Sequence, residues 1–538
     1  MKKFKYIFVI FILTLILPAC SDDMSQRLLF EEDQQINTER SAFYAMTGIL
    51  QQLQKVGDSY VIFGELRGDL MDVTQNSSQE LRDISNFETD STNSYLNPKE
   101  YYAIINNCNN LIAKIDTNLV ISGSKALKLE MSAAKSIRAW SYLQLFLNYG
   151  KVYYYSKPML SVDAQYSFTT ITDFTQFSDS LIADLTPWKP ADNVAEQFPG
   201  YGTIGAFSSS KLFIPIRFVL GELYLWRAEY AQAAKMYYQI IYTNQLTVLN
   251  YKNSWNSTQT GYVSNWTKLF TDLTLNEQLS YIGFSDEYAN NTKIPAFTSK
   301  ETYMLAPSKA AINTWESQTY SFTNTITQTG DLRGRNGSYS SFSELNELND
   351  NVEYSYITKY KNMTNYVSVC RATLVYLRYA EAVNRMGKPS VAFVFLKYGL
   401  NKIILENTAY TTQTELKTKE AFIDFGQSHS DDESITLMFK NNIGMHSRGC
   451  GLVDLNNSFR FPAGVDSVEW VEDQLVTEYA LETAFEGNRF NDLMRISNHR
   501  NDPTFLANKV AAKFPDEQKN SIIQLLSDKK NWYLPEKK

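Results

Sequence analysis

The chain has 538 residues, 44% hydrophobic and 20% charged, which supplies a substantial core and excludes global disorder. Its 58 acidic residues outnumber the 51 basic ones, for a net charge of −7, and no run of five lysines or arginines occurs. That balance excludes a nucleic-acid partner, which requires a basic footprint.

The first residues read MKKFKYIFVIFILTLILPACSDD. Lys2, Lys3 and Lys5 give a positive start, and Tyr6 to Leu17 is a run dominated by apolar side chains. The run is too short to span a bilayer comfortably and has the build of a cleavable signal. Leu17-Pro18-Ala19-Cys20 closes it with a small residue before cysteine. The pattern predicts a lipoprotein signal over 1–19, with Cys20 as the lipidated residue that anchors the mature chain to a membrane. Residues 20–35 are polar and read as a flexible tether.

From Ile36 to Val56, Phe43, Met46, Leu50 and Leu53 recur at helical spacing, whereas Gly57 to Asn97 is polar and without sustained period. After Pro98, the stripe Tyr101, Ile104, Ile105, Cys108, Leu111, Ile112 and Ile115 predicts a helix. A second follows over 125–149, with Gly150 as its stop. In 217–241, Leu220, Gly221 and Tyr224 fit the first helix of a tetratricopeptide repeat, and Ala233 and Tyr237 fit its second. A second copy runs over 373–404, where Ala380 and Ala392 keep the same offset and Gly387-Lys388-Pro389 makes the turn. The expected scaffold is mainly α, of helical-repeat type, with hairpins near 98–149, 209–243 and 371–405. Between them, residues 243–370 are rich in Asn, Thr, Ser and aromatics with little helical period; short strands are expected at Leu279–Phe284 and Tyr354–Tyr360. An irregular segment of this length inside a helical frame marks a functional insertion.

Cys108, Cys370 and Cys450 remain after Cys20, an odd number, with Cys108 and Cys370 in helical-looking runs, so no disulfide framework is expected. The three histidines, His429, His446 and His499, have no partners at ligand spacing; neither a metal site nor a cofactor is indicated. Gly200-Tyr201-Gly202-Thr203-Ile204-Gly205 matches G-x-G-x-x-G but follows Gln197-Phe198-Pro199 rather than a strand, and reads as a plain loop. Glu482 and Glu486 share a helix face at a separation of about 5–6 Å, the spacing of a retaining glycosidase pair. Arg489, Asp492 and Arg495 follow directly, which favours a charge-compensated structural cluster. Tyr95, Trp255, Tyr262, Trp266, Tyr303 and Tyr339 lie in irregular parts, where aromatic planes can stack on the C–H face of a sugar.

Several of these segments together resemble the SusD/RagB family of surface lipoproteins from Bacteroidetes. Ser21-Asp22-Asp23 is similar to that phylum's surface-export signal. Residues 130–158 resemble the family block R-A-x-x-Y-x-x-L…Y-G-x-V-P through Arg138, Ala139, Tyr142, Leu145, Tyr149, Gly150 and Val152, with Tyr153 replacing a frequent proline. Leu377 to Gly387 resembles L-x-x-A-E-A-x-N-R-x-G. Near the C-terminus, Glu482, Phe485, Glu486, Gly487, Arg489, Phe490, Asp492, Leu493 and Arg495 fit the signature, Tyr479 stands where arginine is common, and Trp532-Tyr533-Leu534-Pro535 resembles the usual close.

The resemblance implies a SusD-like domain over 36–538 with a tetratricopeptide-like side supporting a variable ligand face. It implies an outer-membrane, surface-exposed location and a SusC-like TonB-dependent transporter as partner. The function implied is non-catalytic capture of an oligosaccharide for import. Peptide capture of the RagB kind is the alternative within transport; a surface glycosidase and a purely structural tetratricopeptide adaptor are the alternatives of other classes. Ligand contacts are expected from Arg67, Asp69 and Asp72 in the GELRGDLMD segment, with Trp255, Tyr262, Trp266 and Tyr303. The competing reading of Arg67 and Asp69 is a local ion pair that stabilises a turn.

Overall fold

A computed structural model describes residues 35–536 except 122, 162–166, 247–265, 276, 285–291, 324–325, 346–349, 361–364, 400–412, 417, 425–442 and 451–463. The expected signal, Cys20 and nearly all of the tether lie outside the described residues, as do Trp255 and Tyr262. Among the described residues no helix is long and apolar enough to cross a membrane.

The architecture is mainly α and tetratricopeptide-like, with helices paired antiparallel around one large core. Helix α1, Glu39–Glu65, starts on a capping box in which Thr38 and Ser41 satisfy each other's backbone amides. It continues past Val56 to Glu65, with every residue from Ser59 onward buried. The sequence shows no period there because a helix buried all round needs none. A short helix, α2, Gln79–Asn86, follows under a Ser78 cap.

Helices α3, Pro98–Lys114, and α4, Lys128–Tyr149, form the first antiparallel pair. Gly150 ends α4 at φ +70°, the left-handed region where glycine carries no Cβ penalty. Arg138 of α4 joins this pair to α5, Phe174–Leu185, by binding Asn109 Oδ1 at 2.5 Å and Asp184 Oδ2 at 2.6 Å.

The two repeat-like hairpins are α6, Ile216–Trp226, with α7, Tyr230–Thr243, and α8, Ala372–Arg385, with α9, Pro389–Lys397. A Cβ on Gly221 would sit 2.6 Å from the Tyr237 ring, so the small residue admits the large one. Tyr237 Oη and Arg378 Nε both bind Glu222 Oε1, at 2.7 and 2.8 Å, which ties the first hairpin to the second.

Helix α10, Ser467–Thr483, packs on α8 and α9. It is followed by α11, Arg489–Arg500, α12, Pro503–Ala511, and α13, Asp516–Leu526. Arg495 of α11 makes a bidentate pair with Glu381 of α8, at 2.8 and 2.7 Å, and Tyr479 Oη donates to the same carboxylate at 2.8 Å.

The insertion carries short antiparallel pairs. Strand β1, Met71–Val73, pairs with β3, Leu305–Pro307; β2, Gln278–Gly283, pairs with β6, Tyr366–Arg371; β4, Tyr339–Leu345, pairs with β5, Asn351–Ile357. The helical expectation for Cys370 is corrected: it lies in β6, whose six residues are all buried, so the segment reads as a continuous apolar run. Cys108 and Cys370 are buried free thiols, and Cys450 is buried with its Sγ on the Ser447 carbonyl at 3.4 Å. The G-x-G-x-x-G string turns a small hairpin, Thr203–Ile204 against Phe207–Ser208, with Gly202 and Gly205 at positive φ.

The two ends of the fold meet where α1 stops. The Glu65 carboxylate accepts the backbone N–H groups of Phe485, Gly487, Asn488 and Arg489 at 2.8, 2.8, 3.0 and 3.3 Å, and so caps the turn that opens α11. Gly64 permits this approach, since a Cβ there would lie 1.8 Å from the Gly487 carbonyl oxygen. Gly64→Ala is therefore expected to cost about 3 kcal/mol or more. Gly48→Ala in the same helix meets nothing within 4 Å and is expected to be neutral or slightly stabilising. Urea denaturation of the two variants side by side checks the contrast.

Candidate ligand-binding face

Pairing of β1 with β3 sets Asp72 opposite Ala306 and brings the segment before β3 beside the turn after β1. That segment is bolted in place by three side chains. The Thr74 hydroxyl donates to the Tyr303 carbonyl, Ser77 Oγ to the Met304 carbonyl at 2.5 Å, and Asn76 Nδ2 to the Thr302 carbonyl at 3.1 Å. Tyr303 is held there at φ +44°, a left-handed conformation that a tyrosine adopts only when its surroundings impose it.

The Tyr303 ring meets Phe342 edge-on at 5.3 Å and Tyr354 at 5.8 Å. Phe342 and Tyr354 are direct cross-strand partners in the β4–β5 hairpin, with rings stacked at 5.5 Å. Tyr356, two residues on and therefore on the same side, reaches Phe342 at 5.9 Å. Lys300 Nζ lies 5.1 Å from the Phe342 centroid. Phe342, Tyr354 and Tyr356 are each partly exposed, so the hairpin presents aromatic rings to solvent on one face. Burial, with smaller contributions from Tyr354 and Asp72, pushes the Tyr303 phenol up, which keeps it a protonated donor at neutral pH. Rings for apolar faces, a phenol, a carboxylate and an ammonium together suit a ligand that is apolar on one side and hydroxylated on its rim.

The glutamates at 482 and 486 are placed quite differently. Glu482 is fully buried and holds three guanidinium groups: Arg371 Nη1 at 2.8 Å, Arg448 Nη1 at 2.5 Å and Arg333 Nη1 at 2.8 Å. Glu486 binds Arg371 Nε at 2.7 Å and the Lys359 ammonium. Glu277 joins the cluster through Arg371 at 2.8 Å and Arg448 at 3.2 Å. Although burial opposes it, Arg448, Arg371 and Arg333 hold the Glu482 carboxyl well below the usual range. Both carboxylates are sealed in the interior, and neither faces a cleft where a sugar could enter. Their partners also differ from the expected Arg489, Asp492 and Arg495. Arg489 pairs with Asp69 at 2.6 Å, while Asp492 pairs with Arg378 at 2.6 Å and Arg495 at 2.9 Å. Among the described residues no group of three or more His, Cys, Asp or Glu could hold a metal ion.

Searches of the sequence against family models and against curated proteins gave no match. Comparison with solved structures gave many. A SusD superfamily protein from Bacteroides thetaiotaomicron aligns over 94% of this chain and 96% of its own, with TM-score 0.56 and 16% identity. A surface glycan-binding protein A from Bacteroides fluxus aligns over 90% and 94%, with TM-score 0.55 and 15% identity. NanU from B. fragilis aligns over 87% and 90%, with TM-score 0.53 and 16% identity. The fold is that of the SusD superfamily. The likeness spans the helical side and the insertion together.

Within this SusD-like frame, the structure brings Asp72 and Tyr303 together and places Arg67, Asp69 and Trp266 in the interior, while Trp255 and Tyr262 lie outside the described residues. Arg67 is interior: Nε donates to the Phe63 carbonyl at 2.9 Å, Nη1 to Trp532 O at 2.9 Å and Nη2 to Asn148 Oδ1 at 2.6 Å. Its guanidinium stacks on Phe490 at 4.4 Å, and burial lowers its pKa to about 9. The local Arg67–Asp69 ion pair is likewise corrected, because Asp69 turns to Arg489 instead. Segment 66–70 is no surface loop; the C-terminal Trp532 segment covers the end of α1.

Trp266 is fully buried, its indole N–H bonded to Ser338 Oγ at 3.0 Å and its ring beneath Lys359, Arg371 and Arg448. It roofs the ion cluster and leaves no face for a ligand. Tyr339 is also buried, with its hydroxyl on Glu316 at 2.6 Å. Phe342, Tyr356 and Lys300 were not singled out from the sequence; the i, i+2 spacing of Tyr354 and Tyr356 was the available signal.

Glu482→Gln is expected to cost about 3–5 kcal/mol, because three guanidinium groups lose their common counter-charge. Denaturant unfolding reads this loss. A pH series adds a second check. The Glu381 carboxyl is lowered to about 2 from an ordinary 4.5, with Arg495 and then Arg378 overcoming burial. Groups depressed in this way stabilise the fold fully above 4.5 and lose that contribution as pH falls toward 2. The Glu65 carboxyl goes the other way, pushed up to about 7 by burial, so its contribution falls as pH rises from 4.5 to 7. Stability is therefore expected to be greatest at about pH 4.5 to 5, falling on the acid side as Glu381 is protonated and on the neutral side as Glu65 ionises, as read by thermal unfolding across the series.

Proposed function

We propose that this protein is a lipid-anchored cell-surface binding protein that captures an oligosaccharide without cleaving it and passes it to a SusC-like TonB-dependent transporter in the outer membrane. The observation that carries this reading is the aromatic face of Tyr303, Phe342, Tyr354 and Tyr356 beside Asp72 and Lys300, in a chain with the SusD fold. The printed name of the B. fluxus neighbour, a surface glycan-binding protein, supports the same class of ligand. Cys20 would hold the chain at the membrane through its acyl groups, and residues 20–35 would give it reach. Trp255 and Tyr262 belong to the proposed ligand contacts as well.

The mechanism follows from the side chains. Stacking of pyranose C–H faces on the rings supplies affinity that tolerates sequence, while Asp72, Lys300 and the Tyr303 hydroxyl select hydroxyl patterns. Affinity is moderate, because delivery requires release. No proton transfer or nucleophile is invoked, since Glu482 and Glu486 are committed to Arg333, Arg371, Arg448 and Lys359.

A screen of the mature chain against polysaccharides and peptides tests the reading. Saturable polysaccharide binding is expected, weakened about tenfold, or ~1.4 kcal/mol, by Tyr354→Ala. Unfolding of that variant should match the parent. Binding of peptides instead, or glycan binding indifferent to Tyr354→Ala, would overturn it. A large β-barrel transporter encoded next to this protein is the expected genetic counterpart.

A further inference from the structure

A second recess, lined by residues outside the aromatic face, opens between α10, α12 and the helix Lys309–Glu316, with a volume of about 560 Å³. This is within the range of small-molecule sites. It is hollow because Ala310, Ala480 and Ala512, from or beside the three helices, face into it. Arg489 and Asp69 lie in its wall, paired bidentately at 2.6 and 2.8 Å, while the remaining Arg489 nitrogen binds the Val476 carbonyl at 2.8 Å. Their charges cancel.

Lys509, also in the wall, has no such partner. Among the described residues its ammonium has neither a carboxylate nor a carbonyl within reach, and its neighbour is the Phe505 ring at 5.8 Å. Other buried lysines are satisfied: Lys513 donates to the Leu66 carbonyl at 2.6 Å and Ser85 Oγ at 3.0 Å, and Lys135 pairs with Asp184. Burial lowers the Lys509 pKa, with Arg489 and Arg500 adding to this and Asp69 and Asp473 opposing it, a condition that a bound anion would relieve. Asp502, at the rim, is occupied in capping α12 through Thr504, at 2.9 Å to the amide and 2.6 Å to the hydroxyl. Asn313 and Asn508 are exposed lining residues and offer amide groups to hydroxyls.

We propose that this recess binds a sugar acid, with Lys509 pairing to its carboxylate and Asn313 and Asn508 holding its hydroxyls. One ammonium without an ion-pair partner matches a single carboxylate, and the Asp502 charge at the rim disfavours a phosphate dianion. The recess has room for a monosaccharide together with water. The proposal does not rest on the aromatic face, and the two fail separately.

Calorimetric titration of the mature chain with D-glucuronate, D-glucose and acetate tests it. Glucuronate is expected to bind with a Kd of about 1 mM, with glucose and acetate at least about tenfold weaker. Lys509→Met and the space-filling Ala480→Leu should each weaken glucuronate about tenfold or more, and Tyr354→Ala should leave it unchanged. Lys509→Met removes a partly buried ammonium without an ion-pair partner and keeps its apolar stem, so it is expected to fold as the parent does and decides the matter should Ala480→Leu disturb packing. Absence of saturable heat with glucuronate, equal affinity for glucose or acetate, or indifference to Lys509→Met would overturn the proposal.

Discussion

The contact on which the rest of the molecule depends is the seat of Glu65 in the turn 485–489. One carboxylate satisfies four backbone amides that would otherwise be orphaned at a helix start, and two glycines let the chains touch. The residues joined are more than four hundred positions apart, so this contact closes the fold end to end. It also sets the position of everything that follows Glu65. Asp69 reaches Arg489 only from there, and β1 then runs from Met71 into its pairing with β3. The turn after β1, whose side chains hold the Tyr303 segment, lies a short stretch of backbone from this closure.

The ion cluster around Glu482 solves a related problem on the other side of the turn. Arg333 and Lys359 come from the insertion, Arg371 and Arg448 flank the second repeat-like hairpin, Glu482 lies in the last turn of α10, and Glu486 lies in the turn after it rather than on the same helix face. Replacing such a cluster with apolar side chains often leaves stability unchanged, so stability alone does not account for its presence. Its geometry fits a registering role, because its ion pairs join side chains of the insertion to side chains of the scaffold. Lys359 shows how tight that arrangement is: beyond Glu486 it also donates to the carbonyls of Glu482 and Ala484, at 3.1 and 2.8 Å. The β4–β5 hairpin hangs from the same cluster, since Thr358 and Lys359 follow β5 directly and Ser338 precedes β4.

Legibility of these features in the sequence follows from their physics. Amphipathic helices such as α3, and glycine stops such as Gly150, were plain because one face is apolar and the other wet. The last turns of α1 and the strand around Cys370 were not, because an element buried all round loses its period. The scaffold motifs were readable as a resemblance, but their meaning was not: Glu486 and Gly487 look like neighbours in a signature, yet one binds Arg371 and the other receives Glu65. Arg67 and Trp266 were mistaken for ligand contacts for a common reason. A cation or an indole in a polar stretch looks exposed until the structure supplies a partner from a distant segment, here Trp532 for Arg67 and Ser338 for Trp266. Asp72 and Tyr303 came together through the β1–β3 pairing, which no local pattern announces.

Charge placement separates binding from catalysis in this fold. Glu482 and Glu381 are spent on buried guanidinium groups, which hold them ionised in the interior. The exposed face is built from rings instead, and rings already packed on one another lose little conformational freedom when a ligand arrives. Phe342, Tyr354 and Tyr356 sit on a two-stranded hairpin and Tyr303 on a bolted turn, so the platform is set before the ligand comes. Each ring then contributes on the order of 1 kcal/mol, and no charge needs to be desolvated to gain it. Under the proposed function, such a surface would bind several units of a chain with moderate strength and let go without a chemical step. A receptor that must hand its cargo onward needs that combination, and one that had to break a glycosidic bond would need the opposite placement of its acids.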